Sequence, residues 1–336
     1  MTQANVMKAV ITDGQGAPLR IETVNRPNPA AGEVLVRIKA SAVNPLDLKI
    51  RAGEAAHARH PLPAILGIDL AGVVEKVGVG VTAFRPGDEV YGMTGGVGGI
   101  QGSLAEYAAV DADLLAHKPA NLSMREAAAL PLVFITAWEG LVDRAAVHAG
   151  QKVLVHGGAG GVGHIAIQIA RAFDADVFAT GSSNGAEMLT RYGATPIDYR
   201  TTPVDSYVAQ YTGGRGFDIV FDTVGGATLD ASFTAVRRFG HVVSALGWGT
   251  HALAPLSFRA ASYSGIFTLL PLLTGEGRAH HGEILREAAA LAEAGKLTPH
   301  VNAGRFTFSD VDAAHDAVRS RTASGKIVVD IASKLK

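Results

Sequence analysis

The stretch Lys152 to Gly163 constrains this chain more than any other. It reads Lys-Val-Leu-Val-His-Gly-Gly-Ala-Gly-Gly-Val-Gly. Its first half is a short apolar, β-branched run ending at His156, and its second half is rich in glycine. His164 to Phe173 follows with apolar residues at helical spacing and few breakers. The order is strand, glycine turn, helix. Within the turn, Gly158, Gly160 and Gly163 stand in G-x-G-x-x-G spacing, with Gly161 and Val162 before the last of them. Such spacing lets the chain turn sharply, lets backbone approach a pyrophosphate and lets helix pack on strand. The helix N-terminus behind the turn offers free N–H groups and a positive dipole end to phosphate. The stretch is expected to bind a dinucleotide. The alternative is a tight strand–helix turn without a ligand.

Of 336 residues, 48% are hydrophobic and 18% charged, which allows a sizeable core and a length of about two domains. The net charge is −1 and no long basic run exists, so nucleic acid and anionic membrane are poor partners. Met1 to Met7 is short and polar and lacks the apolar run of a signal peptide. Apolar runs such as Ile266 to Leu273 fall far below the ~20 residues of a membrane span. A soluble, cytoplasmic protein is expected. The chain has no cysteine, which excludes disulfides, thiolate catalysis and every cysteine-based zinc site.

The first ~125 residues read as β-rich, with strands at Met7–Thr12, Glu33–Ala42, Ile68–Val77, Glu89–Tyr91 and Ser103–Val110. Asn44-Pro45 breaks the second of these, and Gly92 to Gly102, with six glycines, is a mobile or tightly folded loop. This density of short strands suits a barrel-like β domain. Near Leu122 the character changes. Ser123 with Glu126 is a capping-box pattern, and helices are expected over Met124–Leu130 and Thr136–Ala146 with Pro131 between them. Strands at Asp176–Thr180, Thr195–Asp198, Phe217–Thr223 and His241–Leu246 then alternate with helices over Ala186–Tyr192, Pro203–Thr212 and Thr228–Val236. That alternation means a parallel, doubly wound sheet. After about Tyr263 it weakens. A helix over Gly282–Ala294, a strand at Arg305–Phe308, a helix over Val311–Arg321 and a strand at Lys326–Ile331 are expected, and this part plausibly returns to the first domain.

Several runs carry a family resemblance. They are Met7 to Val10, Pro29 to Val36, Ala42-Val43-Asn44-Pro45-Leu46-Asp47, Leu66 to Gly72, Pro86 to Val90, Ala127 to Pro131, Leu154 to Gly163 and Gly325 to Val329. In this order, over almost the whole chain, they resemble the zinc-free quinone oxidoreductase branch of the medium-chain dehydrogenase/reductase superfamily. The resemblance implies an α/β protein in two domains. A GroES-like β-rich catalytic domain would comprise residues 1–126 and 264–336. A Rossmann NADPH-binding domain of doubly wound parallel sheet would comprise residues 127–263, with an active cleft between the two. It also implies a homodimer, often formed through edge pairing of the cofactor domains.

Zinc members of the superfamily carry Gly-His-Glu where this chain has Gly67-Ile68-Asp69. Isoleucine cannot ligate a metal, so no zinc is expected there. His57 with His60 and His280 with His281 read as solvated surface pairs rather than metal ligands. Without a Lewis acid to polarise an alcohol or ketone, reduction of an activated acceptor is the easier chemistry. A conjugated quinone or enone accepts hydride at carbon, and the protein need only hold the nicotinamide against it and exclude water. The expected activity is thus an NADPH-dependent, metal-independent reduction of a small electrophilic acceptor. An enoyl-thioester or alkenal reductase on the same scaffold, or a nucleotide-binding relative without activity, are the competing readings. The tyrosine that enoyl reductases use as proton donor after Asn-Pro-x-Asp has no counterpart in Arg51 to His57, which weakens the thioester reading and leaves His57 as a candidate donor.

NAD-specific Rossmann sites place an acidic residue at the end of the second strand. Here Thr180-Gly181-Ser182-Ser183-Asn184 follows, with no carboxylate before Glu187. Ser182 and Ser183 suit a 2′-phosphate, although they equally suit a helix N-cap. Gly185 and Ala186 stand where many family members carry a basic residue. Tyr199 matches a family tyrosine at the adenosine end, and Arg321 is a candidate for the same phosphate. NADPH is the expected cofactor. By motif position Asn44 matches an asparagine near nicotinamide and acceptor, and Thr136 a threonine near the cofactor. Asn44 as a turn former before proline and Thr136 as a helix cap are the plain alternatives. Val224 and Leu246-Gly247-Trp248 follow the fourth and fifth strands, at the edge where such sheets bind ligands, and Trp248 is a candidate floor for the acceptor.

Overall fold

The computed structural model describes residues 5–14, 16–320 and 323–331. Alternating patterns in the first part of the chain become β1 (Val6–Thr12), β2 (Arg20–Asn25), β3 (Glu33–Ala42), β4 (Ala64–Ile65), β5 (Asp69–Val77), β6 (Glu89–Met93), β7 (Tyr107–Asp111) and β8 (Leu115–His117). The middle of the chain carries β9 (Lys152–His156), β10 (Asp176–Gly181), β11 (Thr195–Asp198), β12 (Phe217–Asp222), β13 (Val236–Ser244) and β14 (Ser262–Gly265), and β15 (Val328–Asp330) lies near its end. These elements fall into two units. One comprises residues 1–132 and 269–336, the other 133–268.

The first unit is antiparallel. A three-stranded sheet runs β2-β1-β4, and a larger one runs β15-β3-β5-β6-β8. β3 holds the larger sheet together. It pairs with β5 along one edge. On its other side β7 covers Glu33–Arg37 and β15 takes over from Ala40 to Ala42. The two ends of the chain therefore share one ladder. Val34, Val36, Ile38, Ala40 and Ala42 are all buried, as are Ile327, Val328, Val329 and Ile331. The apolar face of β15 has nowhere else to go, which is why a chain that leaves this unit at 132 must come back to it. Several glycines of Gly92 to Gly102 are tightly folded. A Cβ on Gly102 would stand 2.2 Å from the Leu66 carbonyl oxygen, and one on Gly95 2.0 Å from that of Gln101.

The second unit is one parallel sheet in the order β11-β10-β9-β12-β13-β14. The order reverses at β9, whose neighbours are β10 and β12. Its core is built from Leu154, Val220, Phe217, Phe233 and Val242, all buried. Burying side chains of this size stabilises by about 1.5–3 kcal/mol each.

Several elements differ from the sequence expectation. Pro131 lies between two helices as expected, Met124–Ala128 and the next, but it opens the second one itself, which runs Pro131–Trp138 rather than starting at Thr136. A missing N–H costs nothing in the first turn, and the fixed φ suits the helix. Asn44-Pro45 likewise ends β3 by opening a helix over Pro45–Ala52, with Pro45 in its first turn. β13 starts at Val236 rather than His241, and its register against β12 shifts between the Phe217 and Ile219 pairs, with Phe239 at φ 59°. β14 adds a sixth strand where the alternation looked spent. Arg305–Phe308 is no strand, since only Phe306 bridges to Val329. The helix expected from Gly282 begins earlier and runs Arg278–Glu293. The unit boundaries fall at 132/133 and 268/269, not at 126/127 and 263/264.

Candidate active site

Every strand of the parallel sheet ends at the same edge, at His156, Gly181, Asp198, Asp222, Ser244 and Gly265. Ligands of such sheets bind there, beside the point where strand order reverses. The glycine turn leaves β9 at this point, and its glycines do different work. Gly157, which the spacing rule overlooks, has φ 72° and makes the turn. A Cβ on Gly158 would stand 2.7 Å from the Ala179 Cβ and 2.8 Å from Leu189 Cδ2, so this glycine lets β10 and the following helix close in. A Cβ on Gly163 would stand 2.2 Å from the Gly157 carbonyl oxygen, so helix Gly163–Ala172 can begin only with glycine. A Cβ on Gly160 would meet only the Gly157 carbonyl oxygen, at 3.1 Å. Gly160 and Gly161 are exposed and Val162 is half-buried. The turn thus packs on one side and is open on the other. That open, side-chain-free side suits a pyrophosphate.

At the end of β10, Ser182 flanks a short 3₁₀ turn over Ser183–Gly185 and makes no side-chain cap bond. The helix-cap reading of this serine is therefore not what the structure shows. Gly181 pairs in register with Asp198, and the Tyr199 N–H donates to the Gly181 carbonyl at 3.3 Å. Tyr199 is exposed, and the Arg200 guanidinium lies 5.8 Å from its ring centroid. This register sets Tyr199 against the end of β10, with Arg200 the next residue along the chain. Arg321 lies outside the described residues.

The turns after β12 and β13 are latched by one carboxylate. Asp222, fully buried, accepts from the Val224 and Gly225 N–H groups at 3.0 Å each and from Ser244 Oγ at 2.7 Å. Ser244 Oγ in turn accepts from the Leu246 N–H at 3.1 Å. This fixes Val224 and Leu246 at the ligand-binding edge. Gly247 is exposed, and a Cβ there would stand 2.1 Å from the Tyr263 hydroxyl. Trp248 is half exposed, with its ring edge-on to Phe267 at 5.9 Å. His156 Nδ1 lies 3.2 Å from Thr180 Oγ1, and burial pushes this imidazole down to about 4 despite the nearby Asp222. Thr136 is no helix cap. It sits within helix Pro131–Trp138, 3.1 Å from Thr268 Oγ1, which donates to Glu139.

Asn44 belongs to the first unit. Its backbone N–H donates to Asp47 Oδ2 at 2.7 Å, and the other Asp47 oxygen accepts from the Gly67 N–H at 3.1 Å. Its side-chain amide donates from Nδ2 to Asp69 Oδ2 at 2.9 Å, and its Oδ1 accepts from the Lys326 ammonium. Lys326 lies 3.8 Å from Asp69 Oδ2, and Asp69 Oδ1 accepts from the Leu132 N–H at 2.9 Å. All four side chains are buried. Burial pushes the Asp47 carboxyl up to about 7 and raises that of Asp69, which Lys326 opposes. Burial lowers Lys326 itself. Asp47, Asp69 and Lys326 escaped the sequence reading as site residues, although all three stand inside quoted motifs. Asp69 occupies the place of the zinc relatives' glutamate and is engaged by an ammonium and an amide.

His57 sits half-buried in a 3₁₀ turn over Ala56–Ala58, and nearby His60 Nδ1 accepts from the Gly99 N–H at 3.3 Å. His280 and His281 are not a solvated loop pair. They belong to helix Arg278–Glu293, where His280 meets Glu283 at 3.1 Å and His281 is buried. Among the described residues no three His, Asp or Glu side chains converge as a metal site would need, and no helix is long and apolar enough to cross a membrane.

A parallel sheet with this turn beside an antiparallel β unit is an architecture suited to a nicotinamide-dependent oxidoreductase. Comparison with known proteins agrees. A family model described as zinc-binding dehydrogenase matches residues 192–329, and one described as alcohol dehydrogenase GroES-like domain matches residues 30–120. The NADPH-dependent alkenal/one oxidoreductase of Arabidopsis thaliana chloroplasts is 37% identical over 88% of this chain and 72% of its own. The quinone oxidoreductase of Homo sapiens is 32% identical over 98% and 99%. The crystal structure of an alcohol dehydrogenase superfamily protein from Novosphingobium aromaticivorans superposes with TM-score 0.96 at 57% identity, covering 97% of this chain and all of the other. The chain belongs to the zinc-free quinone oxidoreductase branch of the medium-chain dehydrogenase/reductase superfamily.

Proposed function

We propose that this protein is an NADPH-dependent, metal-independent reductase of quinones or conjugated enones. The observation that carries the proposal is the buried Asn44 amide, held by a carboxylate and an ammonium where zinc relatives hold a metal. Asp69 already carries a cation of its own, and Ile68 offers no donor atom. An amide at that place can donate a hydrogen bond to a ligand oxygen but cannot act as a Lewis acid strong enough to ionise an alcohol.

When bound, NADPH supplies a hydride from its nicotinamide. The open side of the glycine turn at Gly160, Gly161 and Val162 and the N-terminus of helix Gly163–Ala172 hold the pyrophosphate. Ser182, Ser183, Tyr199 and Arg200 receive the 2′-phosphate. Thr136, Val224, Leu246 and Gly247 line the nicotinamide half. Asn44 donates an N–H to the acceptor oxygen, which gains negative charge as the conjugated carbon takes the hydride. That oxygen or its conjugate carbon then takes a proton, from His57 or from water. The relative named as an NADPH-dependent alkenal/one oxidoreductase and the one named as a quinone oxidoreductase both support this acceptor class.

The test is loss of reduced-nicotinamide absorbance after dialysis against EDTA. Cyclohexenone and p-benzoquinone should be reduced, with NADPH used at lower concentration than NADH, and ethanol should not be oxidised. Alcohol oxidation restored by added zinc, without enone or quinone reduction, refutes the proposal.

A further inference from the structure

The Asn44 amide has two partners of opposite and unambiguous character. A lysine ammonium can only donate and a carboxylate can only accept. Lys326 therefore fixes the amide oxygen on its own side, and Asp69 fixes the amide nitrogen on the other. The rotamer and the flip of Asn44 are thus set by charge, not by packing alone. The lysine is itself held. Its backbone N–H donates to the His300 carbonyl at 2.8 Å, its carbonyl accepts from the Asn302 N–H at 3.0 Å, and its ammonium reaches the Val43 carbonyl at 3.5 Å. Asp69 is held by the Leu132 N–H. The cluster draws on four parts of the first unit: the end of β3, the start of β5, the Pro131 turn and the strand-like segment before β15.

We infer that Lys326 and Asp69 form a positioning pair that aims and polarises the Asn44 amide, so that its second N–H becomes a strong, fixed donor to the acceptor oxygen. The role given to Asn44 rests on the reductase reading above. The physical ground is independent of it. An ammonium on the carbonyl oxygen withdraws electron density through the amide and strengthens its N–H donors. A donor fixed before the reaction needs no reorganisation as charge develops. One N–H is spent on Asp69, which holds the amide plane, and one remains. Lys326 touches neither acceptor nor cofactor in this scheme and acts only through Asn44.

Three variants test this, read by kinetics and, without turnover, by spectra of the labelled protein. Lys326→Met should lower kcat/KM for cyclohexenone by about 100-fold, the loss that misplacement of a catalytic group commonly brings. The dissociation constant for NADPH, followed by nicotinamide fluorescence, should stay within about twofold of the parent value. Lys326→Arg keeps the donor and should recover much of the loss. Lys326→Met alone strands a buried carboxylate, so the double variant Asp69→Asn/Lys326→Met removes both charges and should regain the parent melting temperature without regaining the rate. In spectra of protein labelled with ¹⁵N only at asparagine, the Asn44 side-chain pair should be well separated and slow to exchange, and should move and exchange faster in Lys326→Met. The spectra need no turnover. Failure of the parent protein to reduce any acceptor, with the labelled spectra as expected, refutes the reductase reading and leaves the positioning pair standing. Unchanged kcat/KM in Lys326→Met, or recovery of rate in the uncharged double variant, refutes the pair.

Discussion

At the scale of single residues, side chains brought in from a neighbouring strand or from the far end of the chain decide the most specific properties. Arg200 follows Tyr199, whose backbone the β10–β11 register sets against Gly181. If it meets the 2′-phosphate, Arg200→Ala removes a charge-assisted hydrogen bond and should raise KM for NADPH at least about tenfold. KM for NADH should hardly change. Steady-state kinetics with both cofactors measures the difference, and equal effects on the two would place Arg200 elsewhere.

Two buried histidines make the stability of the folded chain depend on pH. Burial pushes both His156 and His315 down to about 4. The unfolded chain takes up protons on histidine near pH ~6.5, whereas the folded chain does not until about pH 4. Their contribution to stability is therefore fully present above pH ~6.5 and is lost as pH drops towards about 4, about 3 kcal/mol for each histidine, while Asp47, pushed up to about 7, shifts stability the opposite way over the same range. Neither ring nitrogen of His315 has a hydrogen-bond partner, so His315→Gln adds no buried charge as pH falls. Urea unfolding midpoints across this range should fall less steeply for His315→Gln than for the parent. Parallel slopes would show that His315 is solvated or already charged in the folded chain.

At the scale of elements, the glycine turn separates packing from binding. Gly158→Ala and Gly163→Ala force a Cβ into neighbouring atoms at 2.7 Å and 2.2 Å. Each should cost about 1–3 kcal/mol or more of stability, as overpacking does. Gly160→Ala meets one carbonyl at 3.1 Å and otherwise open space. Its melting temperature should stay within about 5 °C of the parent, while NADPH binding weakens because the methyl occupies the approach of the pyrophosphate. Thermal melts with and without NADPH read both effects. An unaltered NADPH affinity in Gly160→Ala would move the phosphate site away from the turn's open side.

At the scale of the whole molecule, the antiparallel unit is closed by residues near the C-terminal end of its described part. Ile327, Val328, Val329 and Ile331 are each no more than 2% exposed. Losing one such side chain costs about 2–5 kcal/mol, and a domain has only about 5–15 kcal/mol in total. A chain ending at Ser324 should therefore lose the fold of the first unit. Limited proteolysis should cut it within residues 30–120 while fragments spanning 133–268 survive. Equal resistance across both units would mean that β15 is dispensable.

Local order was legible from the sequence because it is governed by neighbours in the chain. Strand periodicity in Glu33–Ala42 and Lys152–His156, the glycine turn and the run of alternating strands and helices are short-range patterns. They determined the parallel sheet, its nucleotide edge and the family. The lack of cysteine and the isoleucine at 68 limited the metal chemistry without any structure. The ends of elements were less legible. Proline reads as a breaker in sequence, but Pro45 and Pro131 each open a helix, since only the helix interior needs the N–H that proline lacks. Only the tertiary structure decided the environment of Asn44. Its partners stand 3, 25 and 282 residues away, and no local pattern links positions so far apart. Burial then gives that grouping its chemistry, because removing water is what makes an ammonium and a carboxylate strong enough to aim an amide.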